Sequence, residues 1–105
     1  MKIINNPSPN FEERPPGIDI KLLLLHYTGM QSSSAAKERL CDVKSKVSAH
    51  YLIDENGEIF SLVEEEKRAW HAGVASWHNE KDVNSISVGV EIVNRGHEFG
   101  YTKFM

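Results

Sequence analysis

Ile20-Lys21-Leu22-Leu23-Leu24-Leu25-His26-Tyr27 is the stretch on which the fold class turns. Leu22 to Leu25 are apolar on both parities, and the run, broken by Gly29, has the length of a strand rather than a helix. Apolar side chains on both sides predict burial on both faces, as in a central strand with helices to either side. His26 closes the run, where it is either a core histidine bonded to a backbone carbonyl or a metal ligand at the carboxyl end of the sheet.

On the N-terminal side, residues 1–19 hold all four prolines, Pro7, Pro9, Pro15 and Pro16, with Asn5, Asn6 and Asn10. Proline lacks the amide hydrogen that helices and ladders use, so an irregular lead-in is expected there and the folded unit is placed at residues 20–105. On the C-terminal side, Ser32 to Ser34 offer N-caps for a short amphipathic helix carrying Ala35, Ala36, Leu40 and Cys41 and ending near Asp42. Val47 to Asp54 and Glu58 to Val63 flank Asn56-Gly57, the pair suited to the positive backbone angles of a tight hairpin turn. Glu64 to Glu66 with Lys67 and Arg68 read as a solvated helical turn without chemistry. Ala69 to Ser85, with Trp70, His71, Gly73, Trp77 and His78, has no clear period and is expected to be a long ordered loop; Ser87 to Val93 is the last strand. Strands mixed with few helices give an α/β (α+β) domain built on a mixed central sheet.

A chain of 105 residues has room for one domain with a modest core. Twelve basic and fifteen acidic residues are interspersed, which argues against nucleic acid as a partner. The lone Cys41 has no internal disulfide partner and is expected to act as a small buried hydrophobe. No apolar run is long enough to span a bilayer, and no basic segment leads into an apolar one at Met1. The expected location is cytoplasmic, with the periplasm open if a signal preceded Met1.

In Ser87-Val88-Gly89-Val90-Glu91-Ile92, one parity carries Val88, Val90 and Ile92 as a core face. The other carries two small residues leading to a carboxylate, Ser87, Gly89 and Glu91. Small residues beside a charge leave room for a ligand, and desolvation pushes such a carboxyl up toward the range of a general acid or base. An exposed edge glutamate is the competing reading. His50 is a third buried candidate, favoured as structural. The histidines from His71 to His78 lack the spacing of a helical pair or a finger motif.

Five segments occur together in order: Ser8-Pro9-Asn10-Phe11-Glu12-Glu13-Arg14-Pro15, Leu25-His26-Tyr27-Thr28-Gly29-Met30, Val47-Ser48-Ala49-His50-Tyr51-Leu52-Ile53-Asp54, Arg68-Ala69-Trp70-His71-Ala72-Gly73 and Ser87-Val88-Gly89-Val90-Glu91-Ile92-Val93-Asn94. In this order the chain resembles the zinc-dependent N-acetylmuramoyl-L-alanine amidases, most nearly the bacterial branch of cell-wall recycling and turnover, with the peptidoglycan recognition proteins as wider relatives. The resemblance implies hydrolysis of the amide between N-acetylmuramic acid and the L-alanine of peptidoglycan or a muropeptide. It implies His26 as a zinc ligand, Glu91 as the catalytic base, and Trp70, His71 and Asn94 along the substrate groove, with His50 supporting the site. Members of the family complete the zinc site near the C-terminus with a histidine and an aspartate. Residues Gly96-His97-Glu98-Phe99-Gly100-Tyr101 do not match that stretch and are expected to lead into a helix that this chain lacks. The expectation is therefore a truncated domain with an incomplete Zn2+ site, weak zinc binding, weak or no activity, and a homo-oligomer covering the bare sheet face. The competing readings are a non-catalytic muropeptide-binding module and an inactive fragment.

Overall fold

The computed structural model describes residues 3–28, 32–72 and 82–93. In chain order these form β1 (Ile3–Asn5), β2 (Phe11–Glu13), β3 (Leu22–Tyr27), α1 (Ser33–Cys41), β4 (Tyr51–Ile53), β5 (Ile59–Ser61), β6 (Lys67–Ala69), a 3-10 turn (Val83–Ile86) and β7 (Ser87–Ile92). Five strands make one mixed sheet in the order β1-β5-β4-β7-β3, in which only β4 and β5 are antiparallel; β2 and β6 form a separate antiparallel pair.

Local chemistry sets several of these elements. Ser32 caps α1, its Oγ accepting from the Ala35 amide at 3.2 Å, and Asp42 closes the helix by donating its amide to the Arg39 carbonyl. The β4–β5 hairpin turns at Gly57, whose φ of 84° lies in the left-handed region that glycine adopts without strain. Asn56 does not share a positive φ, as a two-residue turn would require. Instead Asp54 Oδ1 accepts from the Asn56 and Glu58 amides, spreading the turn over more residues.

Three expectations are corrected. The lead-in is not irregular throughout, because β1 pairs with β5 and β2 with β6. The prolines fall between and after these short strands, which keeps the strand amides available for pairing. Lys67 and Arg68 belong to strand β6 rather than to a helical turn, and lie directly opposite Glu13 and Glu12, with ion pairs of 2.6 Å across each position. The third correction concerns β3. Among the described residues it is the last strand of the sheet, and its burial alternates: Leu22, Leu24 and His26 are half-buried while Leu23, Leu25 and Tyr27 are 65%, 61% and 57% exposed. Apolarity on both parities reports side-chain type; it does not report what covers each face.

Strand register builds one row of side chains across the sheet, Ile4, Phe60, Leu52, Glu91 and His26, all on the face that carries α1. Ala36 and Leu40 from the helix pack with Leu52, Phe60, Leu62, Val63, Ala69 and Val93 into the core, against which Ile4, Cys41 and Val47 also rest. The row is apolar beneath the helix and turns polar where that cover ends.

Candidate active site

At the polar end of the row, Glu91 on β7 stands in register with His26 on β3. His71, just after β6, joins them through its ring. A cleft of about 220 Å³ opens here between α1 and Trp70, with His71 and Glu91 among its lining residues.

His71 reaches this position because Gly89 has no side chain. A Cβ at residue 89 would stand 2.3 Å from His71 Cγ and 2.5 Å from Cδ2 and Nδ1. The His71 backbone is fixed by Asn84, whose Oδ1 accepts from the amides of His71 and Ala72 at 3.2 and 2.8 Å. Hydrogen-bond directions then assign the ring. Ser87 Oγ donates to the Val83 carbonyl at 2.7 Å, so it accepts from His71 Nε2–H at 3.0 Å. The His71 Nδ1 lone pair faces His26 Nε2 at 3.1 Å, which makes His26 the donor. Burial lowers the His26 value, and burial together with the neighbouring His26 and His50 holds His71 down to about 3.

Glu91 is the opposite case. Burial pushes its carboxyl up, opposed by the charge of Arg39, and among the described residues Oε2 is buried with no hydrogen-bond partner. A desolvated, unpartnered oxygen beside a cleft is a proton acceptor in waiting.

His50 lies one layer deeper and is fully buried just before β4. Its Nδ1 accepts from the Gly89 amide at 3.0 Å and its own amide donates to the Gly89 carbonyl at 2.9 Å, so Nε2 carries the proton and donates to the Lys67 carbonyl at 2.8 Å. His50 thereby grips Gly89, the residue on which the His71 ring rests. Around it Arg14 donates to the carbonyls of Glu65, Asn84, Ser85 and Ser87 at 2.8–3.1 Å, tying three segments together. Arg14, Asn84 and Arg39, which lines the cleft from α1, were not singled out from sequence. The carbonyl partners of Arg14 lie 51 to 73 residues away, a separation that no local pattern reveals.

Of the expected site residues, Glu91, His26, His71 and Trp70 come together here, Trp70 as part of the cleft wall with its amide donating to Ser48 Oγ. Asn94, and with it His78 and His97, lies outside the described residues. A catalytic zinc is held by three protein groups. Among the described residues no three His, Cys, Asp or Glu side chains are grouped to hold a metal ion, and the His26 Nε2 proton is directed at His71. The described residues alone do not fit a zinc ion. Among them, too, no helix is long and apolar enough to cross a membrane.

The sequence profile of the N-acetylmuramoyl-L-alanine amidases matches residues 16–105. The chain is 31% identical over 102 residues to the 1,6-anhydro-N-acetylmuramyl-L-alanine amidase AmpD of Haemophilus influenzae, an alignment covering 81% of this chain and 55% of that protein. A crystal structure of a selenomethionine AmpD derivative superposes with a TM-score of 0.80 at 29% identity, over 96% of this chain and 65% of the other. The amidase AmiD from E. coli, solved as a complex with anhydro-N-acetylmuramic acid-L-Ala-D-gamma-Glu-L-Lys, superposes with a TM-score of 0.66 at 30% identity, over 85% of this chain and 41% of AmiD. These likenesses carry the mixed α/β sheet seen here, and the chain spans about half the length of the AmpD relatives it matches. Since the profile match takes in the strand bearing His26, the turn bearing Trp70 and His71 and the strand bearing Glu91, the chain belongs to the N-acetylmuramoyl-L-alanine amidase family.

Proposed function

We propose that this chain hydrolyses the amide joining N-acetylmuramic acid to the L-alanine of a muropeptide stem. The observation that carries the reading is the buried, unpartnered Oε2 of Glu91 at the cleft, on a chain of amidase lineage. The substrate class is supported by AmiD, whose solved complex holds an anhydromuramyl tripeptide.

Glu91 Oε2 accepts a proton from a water held in the cleft as that water's oxygen adds to the lactyl carbonyl carbon. When the C–N bond breaks, the carboxyl returns the proton to the alanine nitrogen, giving a free lactyl acid and a peptide with a free amino terminus. Burial supports the first half of this exchange, since it makes the carboxylate a stronger base than one in bulk water. The His71 ring, held down to about 3, lines the same cleft without bringing a positive charge to it, and Trp70 supplies an apolar wall against which a sugar or lactyl group can rest. His26, the expected first zinc ligand, stands in register with Glu91, and this placement supports assigning it to the site; the described residues alone do not complete a zinc ligand set.

Glu91→Gln tests the assignment. Binding of a muramyl-L-Ala-D-γ-Glu-L-Lys peptide should persist while turnover falls by about 10²–10⁴-fold, the usual contribution of a positioned proton-transfer group. Full turnover by the variant removes Glu91 from the chemistry.

A further inference from the structure

Trp70 is held at both ends by β2 and the residue before it. Its amide donates to Ser48 Oγ at 2.9 Å, and the same hydroxyl donates to the carbonyl of Asn10. Its side chain reaches β2 itself, the indole Nε1–H donating to Glu12 Oε1 at 3.2 Å. That oxygen is fixed in turn from β6. Arg68, directly opposite Glu12, donates to it from Nη1 at 2.6 Å, while Nη2 donates to Asp82 Oδ1 at 2.6 Å and Nε to Ser85 Oγ at 2.9 Å. Glu12 is exposed, so the core makes no demand for a carboxylate at this position. What its carboxylate does fix is the orientation of an aromatic side chain in the cleft wall.

A tryptophan side chain has one polar atom, and it can only donate. With that atom bonded to β2, the indole has carbon left to present to the cleft that it lines. A wall already locked in place does not have to be ordered when a ligand arrives, and for one side chain that saving is worth about 2- to 10-fold in affinity. We infer that Glu12 is a positioning residue for substrate, acting through the Trp70 indole, which it holds in the cleft wall where the ligand rests. The muropeptide reading, on which this inference rests, supplies the ligand.

The test is calorimetric binding of muramyl-L-Ala-D-γ-Glu-L-Lys to the full chain carrying Glu91→Gln, a background in which the peptide is not consumed. Adding Glu12→Ala should weaken binding about 5-fold, and Glu12→Gln should bring it back to within about 2-fold, because a carboxamide oxygen still accepts from the indole. Glu13→Ala is the control: it removes the other 2.6 Å ion pair between β2 and β6, to Lys67, which does not involve Trp70, and binding should stay within about 2-fold of the background. In a Trp70→Phe background, which keeps a ring but has no N–H, Glu12→Ala should change binding by less than about 2-fold. Of the chain's two tryptophans, Trp77→Phe leaves Trp70 alone; its indole N–H resonance should shift and exchange faster with water in Glu12→Ala but not in Glu13→Ala. Unchanged binding by Glu12→Ala, a loss matched by Glu13→Ala, a loss that Glu12→Gln does not repair or that survives Trp70→Phe, or an unmoved Trp70 resonance each overturns the inference and leaves the muropeptide reading standing. Failure of the Glu91→Gln chain to bind the peptide overturns both.

Discussion

Gly89→Ala is the sharpest perturbation of the site, because one methyl group is aimed at one ring. The backbone at residue 89 does not lie in the left-handed region, so alanine meets no conformational barrier there. Its methyl would stand 2.3 Å from His71 Cγ, near the root of a short side chain whose backbone is held by Asn84, so the ring must leave. Leaving breaks the contacts with His26 and Ser87, two neutral hydrogen bonds worth about 0.5–1.5 kcal/mol each, or about 1–3 kcal/mol together. Replacing a strand glycine returns about 0.5–1 kcal/mol through the unfolded state. The net loss falls between about 0 and 2.5 kcal/mol, and a central value of about 1 kcal/mol lowers Tm by roughly 4–8 °C for a domain near this size. The same change in a His71→Ala background has no ring to displace, and there Gly89→Ala should stabilise by about 0.5–1 kcal/mol. Thermal or urea denaturation of the four proteins in this cycle gives the coupling directly. A coupling below about 0.5 kcal/mol, the scatter of independent sites, refutes the claim that Gly89 is the seat of His71.

Arg14→Met should cost about 2–4 kcal/mol by leaving buried carbonyls of Asn84, Ser85 and Ser87 without their charged donor, and Arg14→Lys should recover less than half, since an ammonium cannot span three segments; an Arg14→Lys protein as stable as the parent in urea contradicts this. Glu91 and His71 should give opposite pH dependences. The Glu91 carboxyl is raised in the fold, so its contribution to stability is fullest below the ordinary carboxyl value and is lost as pH rises; Glu91→Gln should gain about 1 kcal/mol at pH 7 and nothing at pH 4, and a pH-independent difference rejects the desolvated carboxylate. His71 is lowered to about 3, so its contribution is full above the ordinary imidazole value and is lost as pH falls from there toward 3; an NMR titration placing its midpoint near 6.5 rules out the buried neutral ring.

What was legible in the sequence is what local chemistry decides. Ser32 announces the helix start because its hydroxyl bonds an amide three residues away, and Asn56-Gly57 announces a hairpin because the turn is closed within five residues. Parity drew attention to Glu91 through the small residues Ser87 and Gly89 on the same face, and the space those two leave is filled by the His71 ring. His26 stood out by its place at the end of a strand, which left a core histidine and a metal ligand both open. The burial of β3 was not legible, since four leucines say nothing about which strand lies at the sheet's end. The lead-in strands were hidden for a related reason: prolines bar residues, not their neighbours, and the partners of β1 and β2 lie more than fifty residues away. Arg14 and Arg39 escaped because an arginine's partners or openness are set only when distant segments meet.

The row Ile4, Phe60, Leu52, Glu91, His26 shows how little separates core from site. Every position has the same strand geometry and faces the same side of the sheet. Three pack with α1 and are apolar; the next, Glu91, lines the cleft with a carboxyl, and the last, His26, carries an imidazole bonded to His71. An apolar residue at position 91 would simply extend the core, and the fold would lose the desolvation cost of the carboxyl. Glu91 is therefore not explained by stability. The sheet tolerates it because the neighbouring strand positions are secured from below, by His50 on Gly89 and by Arg14 on the segment leading into β7. The buried His50 and the half-buried Arg14 tie down the strand and are not among the cleft's lining residues, so the residues that make the site costly and the residues that hold it in place are different ones. Substitutions should divide accordingly: loss of Arg14 or His50 lowers stability, whereas loss of Glu91 raises it and removes the chemistry.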